Sequence, residues 1–106
     1  MIQINNCDEL IRFMVEACNT VPGMVGTVLF EGEECFVDGM MPNPALFKNI
    51  FPLKYGYYKF VIEDHYNGSI CLYVYNMDDD RYDQTVAIIL PKSKLEELCA
   101  AIEEKW

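Results

Sequence analysis

"YGYYKFVIEDHYNGSICLYVYN" (residues 55–76) decides the fold, because it contains the strongest turn signal in the chain. Asn67 and Gly68 form the preferred two-residue turn of a β-hairpin, since both positions tolerate a positive φ. The β-branched and aromatic residues on either side predict two antiparallel strands. A two-residue turn at this point places Tyr66 opposite Ser69 and fixes the register of the whole hairpin.

The predicted register also determines which side chains share a face, because successive residues of a strand point to opposite sides. Cross-strand aromatic pairs can stabilise a sheet, and an exposed aromatic face can bind a ligand or a second copy of the chain. We call the more aromatic side the tyrosine-rich face, and it would comprise Tyr58, Phe60, Ile62, Cys71, Tyr73 and Tyr75. The other side would carry Val61, Ile70, Leu72 and Val74 with Lys59, Glu63 and His65.

Helices are predicted at both ends of the chain. Asn6 and Glu9 form a capping box, and the Pro22-Gly23 pair ends the first helix. Ser93 and Glu96 form a second capping box before the last helix. Each helix has one apolar stripe at helical spacing. The stripes are Leu10, Ile11, Met14, Ala17 and Cys18 in the first helix, and Leu95, Leu98, Cys99, Ile102 and Trp106 in the last.

Three further strands complete the predicted order. "VGTVLFEGEECFVD" (residues 25–38) indicates a second hairpin with Gly32 in its turn, and "QTVAIIL" (residues 84–90) indicates a buried central strand. The fold class is therefore α+β, with a mainly antiparallel sheet of about five strands and N- and C-terminal helices packed on one face. A length of 106 residues predicts a single α+β domain over residues 1–106.

Composition favours a cytoplasmic protein with free thiols. The first residues have no basic start or long apolar stretch, and no apolar run reaches the roughly 20 residues of a membrane span. The five cysteines are odd in number and widely spaced, unlike a zinc site or a disulfide framework. A catalytic cysteine needs a base, and the chain has one histidine. No catalytic residue, metal site or cofactor is therefore predicted.

The chain is strongly acidic, with a net charge of −9. Such a charge repels nucleic acid and anionic membranes and attracts basic surfaces. The acidic residues are concentrated in residues 31–38 and 63–83. The expected partner is therefore a basic protein that handles nucleic acid. The predicted partner-binding residues are Glu31, Glu33, Glu34, Asp78, Asp79, Asp80, Tyr82 and Asp83.

"YNMDDDRYD" (residues 75–83) allows three interpretations. As a calcium loop it fails, because Arg81 occupies the glycine position when the loop starts at Asn76. As a solvated turn it is ordinary loop chemistry, although three consecutive aspartates repel one another. As an acidic patch it would place carboxylates where the phosphates of a nucleic acid otherwise sit, with Tyr82 beside them.

These observations predict a non-enzymatic acidic binding protein that inhibits its partner by occupying a basic nucleic-acid-binding surface. Bacterial immunity proteins and phage-encoded nuclease inhibitors, including anti-CRISPR proteins, share this profile of small size, acidity and missing catalytic motifs. The likeness is one of composition and not of motif. The alternatives are a small-molecule or peptide-binding domain that uses the tyrosine-rich face, and a magnesium enzyme with ligands at Asp78 and Asp80.

Overall fold

The computed structural model describes residues 2–20, 25–39, 50–51, 58–76 and 85–105. Within these ranges the chain forms two helices, seven strands and two short 3-10 turns. The helices are α1 (Cys7–Thr20) and α2 (Leu95–Lys105). The strands are β1 (Gln3–Ile4), β2 (Val25–Phe30), β3 (Glu33–Asp38), β4 (Ile50–Phe51), β5 (Tyr58–His65), β6 (Ser69–Asn76) and β7 (Val86–Pro91). The 3-10 turns are Tyr66–Gly68 and Lys92–Lys94.

The strands form one sheet in the order β1-β2-β3-β7-β6-β5-β4. Only β1 and β2 pair in parallel, and every other neighbouring pair is antiparallel. The α+β class is confirmed. The predicted number of strands is too low by two, because β1 and β4 have two residues each and are too short to show an alternating pattern.

The core lies between one face of the sheet and the two helices. α1 contacts β6, β7 and α2, and the apolar stripes of both helices enter the same buried cluster. Leu10, Ile11 and Met14 of α1 and Leu98 and Ile102 of α2 are fully buried, as their spacing predicted. Within the described ranges, neither helix has the length and apolar character needed to span a membrane.

The N-terminus of α1 is capped as its sequence predicted. The Glu9 N–H donates to Asn6 Oδ1 at 2.9 Å, which satisfies one of the free amides of the first turn. The Glu9 carboxylate accepts a hydrogen bond from the Asn5 N–H at 2.8 Å, one residue before the usual position. A cap of this kind stabilises a helix by about 1 kcal/mol.

The second predicted capping box is wrong. Ser93 lies inside the 3-10 turn Lys92–Lys94, which continues into α2 at Leu95, so Ser93 is not the residue that caps the helical segment. The residue that caps this turn is Pro91. It keeps an extended backbone, with φ of −61° and ψ of 140°, and the helical conformation begins at the next residue. Leu95 and Cys99 still pack against the core, whereas Trp106 lies outside the described residues.

The turn of the β5–β6 hairpin is confirmed, but the predicted register is wrong by one residue. Asn67 and Gly68 have φ values of 57° and 73°, and the Ser69 N–H donates to the Tyr66 carbonyl. His65 pairs with Ser69, however, so Tyr66 is an additional residue without a strand partner. Its side chain is 80% exposed.

This one-residue difference rearranges both faces of the hairpin. Phe60 pairs with Val74 and Ile62 with Leu72, and all four side chains are buried on the side of the helices. Tyr58 packs against that same core. Val61 and Tyr73 pair with each other and point to the opposite side, as does Cys71. The tyrosine-rich face was therefore a wrong prediction, because Tyr58 and Tyr73 lie on different sides of the sheet.

Candidate functional site

The three described carboxylates of the predicted partner-binding set lie together at one end of the sheet. Phe30 pairs with Glu33, so Glu31 and Gly32 make a two-residue turn between β2 and β3, with φ values of 50° and 86°. Glu33 and Glu34 follow as the first residues of β3. The antiparallel pairing of β3 with β7 and of β7 with β6 brings the Lys92–Lys94 turn and the β5–β6 hairpin tip to this same end. We call it the turn end of the sheet.

Glu31 takes part in an internal ion pair. Its carboxylate accepts a hydrogen bond from Lys94, whose ammonium also lies 3.9 Å from the Glu97 carboxylate. The hydrogen bond that Lys94 donates to the Glu31 carboxylate is the main reason that the pKa of Lys94 is raised. Lys94 also lies 5.9 Å from the centroid of the Phe30 ring. These contacts hold the β2–β3 turn against the start of α2. Glu31 therefore positions the turn, and its charge is already paired with Lys94.

Glu31, Glu33 and Glu34 are all exposed, but Glu33 and Glu34 differ from Glu31 because neither has an ion-pair partner among the described residues. Adjacent strand residues point to opposite sides of the sheet. Glu33 shares the side of Phe30, and Glu34 shares the side of Leu29. The turn end therefore presents an unneutralised carboxylate on each side of the sheet.

A surface pocket of about 300 Å³ lies next to this turn. The first residues of α1, the β2–β3 turn and α2 form its wall, which consists of Asn6, Cys7, Asp8, Glu31, Glu97, Ala100 and Ala101. Burial, followed by the nearby Glu97 and Glu31 carboxylates, raises the pKa of the Cys7 thiol to about 11. The thiol is thus protonated at neutral pH. The pocket combines a neutral thiol with three carboxylates, of which Glu31 and Glu97 lie beside the Lys94 ammonium.

The described residues contain neither a cluster of metal ligands nor a cysteine with a lowered pKa. No group of three or more His, Cys, Asp and Glu side chains converges there in a way that could hold a metal ion. Burial also raises the pKa values of Cys35 and Cys99, and raises that of Cys71 to about 11. A protonated thiol is a poor nucleophile, so Cys7, Cys35, Cys71 and Cys99 are not activated at neutral pH.

The hydroxyl of Tyr73 has an internal partner. Burial, followed by its hydrogen bond to the Cys71 sulfur, raises the pKa of Tyr73. Glu63, which pairs with Cys71 across the strands, raises the pKa values of both groups. One Glu63 carboxylate oxygen is buried without a hydrogen-bond partner among the described residues. Tyr73 is consequently part of a packed cluster and does not form a stacking platform with Tyr58.

The chain leaves β6 and enters β7 at the end of the sheet opposite the turn end. Asp78, Asp79, Asp80, Tyr82 and Asp83 lie outside the described residues. The strands that flank them end at Asn76 and begin again at Val86. The six residues of β7 separate that end from the turn end by about 17 Å. The first segment reaches the same end only through Asp38, which pairs with Ala87.

An exposed aromatic side chain was missed by the sequence analysis. Phe36 is 43% exposed on β3, whereas its neighbours Cys35 and Val37 are buried against the helices. Glu34 and Asp38, two residues away on either side, point in the same direction as Phe36. Inward and outward side chains alternate along "EECFVD" (residues 33–38). The exposure of Phe36 follows from this alternation only when Cys35 and Val37 are known to be buried. We call Glu34, Phe36 and Asp38 the outer stripe of β3.

The predicted site is therefore divided into parts with different roles. Glu31 is paired internally, Glu33 and Glu34 are exposed at the turn end, and the remaining five predicted residues lie outside the described part of the chain. Comparison of the chain with protein-family models, with curated proteins and with solved structures finds no match. The function is therefore inferred from the charge and geometry of the described residues.

Proposed function

We propose that this protein is a non-enzymatic binding protein whose acidic surface occupies a basic, nucleic-acid-binding surface of a partner protein. The observation that carries the proposal is the exposure of Glu33 and Glu34 at the turn end without a neutralising cation among the described residues. The net charge of −9 gives the whole molecule the same sign as a nucleic acid. An inhibitor of the immunity-protein or anti-CRISPR type is the specific form that this composition favours.

The arrangement at the turn end suits a grooved partner. Glu33 and Glu34 project from opposite sides of one strand, so a basic groove that receives the edge can contact a carboxylate on each wall. Complementary charge accelerates the encounter, and salt weakens it. The pair formed by Glu31 and Lys94 fixes the turn before binding, which lowers the conformational entropy lost in the complex.

The ligand-binding alternative has less support. It requires several tyrosines on one surface, and the observed register places Tyr58 and Tyr73 on opposite sides of the sheet. The hydroxyl of Tyr73 is also engaged by Cys71. No specific observation in the described part of the chain favours a small-molecule site over an acidic protein-binding surface.

The proposal is tested by affinity capture with two charge-matched variants. The tagged protein is passed over a nuclease-treated bacterial lysate at low and moderate salt, and the retained proteins are identified. The test variant is Glu33→Gln with Glu34→Gln. The control is Glu16→Gln with Glu103→Gln, which removes the same charge from exposed positions in the later turns of α1 and α2.

We expect the wild type and the control to retain a basic nucleic-acid-binding protein at low salt, and the test variant to lose it. With the purified partner, the test variant should bind about tenfold more weakly, mainly through a slower association rate. The wild type should also displace a labelled oligonucleotide from the partner. If the captured protein binds its nucleic acid equally well with and without this chain, the inhibitor proposal is wrong.

A third variant assesses the segment outside the described residues. Asp78, Asp79, Asp80 and Asp83 are changed together to Asn, which removes four charges from the segment between β6 and β7. Retention of the partner by this variant and its loss by the turn-end variant assigns binding to the turn end. The reverse result assigns binding to residues 78–83 and contradicts the role given to Glu33 and Glu34.

A further inference from the structure

We propose that the outer stripe of β3 binds arginine side chains of the basic partner, with Phe36 as the stacking surface and Glu34 and Asp38 as the flanking acceptors. This inference rests on the proposed function and names the chemistry that the partner must present. It involves a different group of residues from the exposed pair Glu33 and Glu34, with Glu34 as the shared member.

The geometry of the stripe follows from strand alternation. Glu34, Phe36 and Asp38 occupy every second position of β3, so consecutive side chains are about 6.6 Å apart along the strand. Phe36 is 43% exposed, whereas Phe30 of β2 and Phe60 of β5 are 1% and 0% exposed. The stripe thus places an accessible ring between two carboxylates.

The neighbouring strands leave space around the ring. Thr27 of β2 lies opposite Phe36 and is exposed, and Leu29 lies opposite Glu34 and is half-buried. On the other side, the half-buried Ile89 of β7 points to the same side of the sheet. The stripe is therefore a shallow apolar strip with acidic groups at both ends, where a flat side chain can lie.

Charge complementarity selects the occupant. A second copy of this chain would bring the same carboxylates to the stripe and the same net charge of −9, so self-association is electrostatically opposed. A basic partner has the opposite sign. Within the described part of the chain, the cation–ring contact is that of Lys94 with Phe30, on the helix side of the sheet.

Arginine fits this combination better than lysine. Its planar guanidinium is weakly hydrated, stacks on an aromatic ring and donates several hydrogen bonds in its plane, so carboxylates at the ring edge can accept them. A lysine ammonium is compact and strongly hydrated, and it offers no flat surface to the ring. Either side chain would pair with a carboxylate of the stripe, but only the arginine guanidinium can also stack flat on the Phe36 ring.

The test uses two peptides of equal length and charge, one of alternating arginine and glycine and one of alternating lysine and glycine. Each is titrated into the ¹⁵N-labelled protein while amide shifts are followed. We expect the arginine peptide to bind about three- to fivefold more tightly than the lysine peptide, which is the range of one exposed cation–ring contact. The largest shifts should fall on residues 34–38.

Two substitutions at Phe36 separate stacking from simple apolar contact. Phe36→Leu keeps an apolar side chain but removes the ring, and we expect it to abolish the preference for arginine while lysine binding is unchanged. Phe36→Tyr keeps the ring and should keep the preference. Because Phe36 is partly exposed, both variants should fold, and the dispersion of their amide spectra verifies this.

The outcomes that overturn the inference are distinct from those that overturn the proposed function. Equal binding of both peptides, or an arginine preference that survives Phe36→Leu, contradicts it. Shifts at residues 34–38 that depend on protein concentration without peptide assign the stripe to a second copy instead. If Phe36→Leu captures the cellular partner as strongly as the wild type, while the turn-end variant loses it, the proposed function stands and this inference fails.

Discussion

The two hairpins of this protein have the same kind of turn but a different relation between turn and strands. Glu31-Gly32 and Asn67-Gly68 both take positive φ at their two central residues. In the β2–β3 hairpin the strands pair directly up to the turn, since Phe30 faces Glu33. In the β5–β6 hairpin one extra residue, Tyr66, stands between the turn and the paired strands.

The difference shows that a turn dipeptide fixes a turn without fixing the register of the strands. In the observed register, the apolar residues at alternate positions of β5 and β6 face the helices together. A register without the extra residue would put Phe60 and Val74 on opposite sides. Burial of one large apolar side chain contributes about 1.5–3 kcal/mol, far more than the loss of one strand pair next to a turn. The packing of the core therefore determines the register. Tyr66 is the extra residue that connects the paired strands to the Asn67-Gly68 turn.

Deleting one residue from each hairpin should reveal the largest difference in stability between them. Removing Tyr66 leaves Asn67-Gly68 directly between His65 and Ser69, so every observed pair of β5 and β6 is kept and stability should change by about 1 kcal/mol or less. Removing Glu31 leaves a turn too short for its strands and forces β2 to slip by one residue. This turns Val28 and Phe30 away from the core and should cost about 3–6 kcal/mol in urea unfolding.

The control for the Glu31 deletion is Glu31→Gly, which keeps the length of the turn and also suits a positive φ. It should remain within about 1 kcal/mol of the wild type. If the Tyr66 deletion destabilised the protein as much as the Glu31 deletion, Tyr66 would be part of the paired structure and the comparison of the hairpins would be incorrect.

Phenylalanine-to-alanine substitutions compare the two sides of the sheet. Phe60 is fully buried on β5, so Phe60→Ala should lower the free energy of unfolding by about 3–5 kcal/mol. Phe36 is partly exposed on β3, so Phe36→Ala should lower it by less than about 1 kcal/mol. Urea unfolding followed by circular dichroism measures both. Equal losses would mean that the outer stripe is a buried part of the fold and not a surface for a partner.

Alkaline pH should affect the β5–β6 hairpin through Cys71. Burial raises the pKa of this thiol from the usual 9.0 to about 11. The unfolded chain therefore releases this proton at lower pH than the folded one, and stability should fall from about pH 9 until about pH 11. A pKa raised by about two units corresponds to a loss on the order of 3 kcal/mol. Unfolding measured between pH 8 and pH 11 tests this sign and range.

Cys71→Ser is the variant that isolates this effect, because a serine hydroxyl does not titrate and can still accept the hydrogen bond of Tyr73. We expect the decline of its stability with pH to be visibly shallower than that of the wild type. Cys35→Ser in the β2–β3 hairpin is the control, with a smaller change of slope. An unchanged slope in Cys71→Ser would mean that Cys71 titrates alike in the folded and unfolded chain.

Glycine-to-alanine substitutions in the two turns should affect both hairpins equally. Gly32 and Gly68 have φ values of 86° and 73°, and no atom lies within 4 Å of the position of an added Cβ. The cost is thus one of backbone conformation alone, about 1–2 kcal/mol each. A much larger loss for Gly68→Ala in thermal unfolding would indicate that the two turns are not equivalent after all.

Most of the fold was predictable because the signals that specify it are local. The cap at Asn6, the apolar stripes of both helices and the positive-φ turn at Asn67-Gly68 each depend on residues a few positions apart. The two-residue strands β1 and β4 were not predictable, since pairing with a neighbour and not their own sequence makes them strands. The second capping box failed because the backbone angles of Pro91 start the helical turn earlier.

The candidate site was predictable only as a set of charges. The sequence identified Glu31, Glu33 and Glu34 as one acidic group, because charge is a property of composition. The internal pairing of Glu31 depends on Lys94, which lies 63 residues away in the chain. No local pattern could have indicated that one of these three exposed glutamates is ion-paired and that the other two have no such partner among the described residues.

The sequence by itself thus determined the helices, the turns, the α+β class and the acidic character of the surface. The tertiary structure alone decided the register of the β5–β6 hairpin, the side of the sheet on which each tyrosine lies and the exposure of Phe36. The physical reason is that propensity, capping and charge act within a few residues of the chain. Register and exposure instead depend on the apolar area that distant segments bury together, and this larger energy overrides the local turn signal.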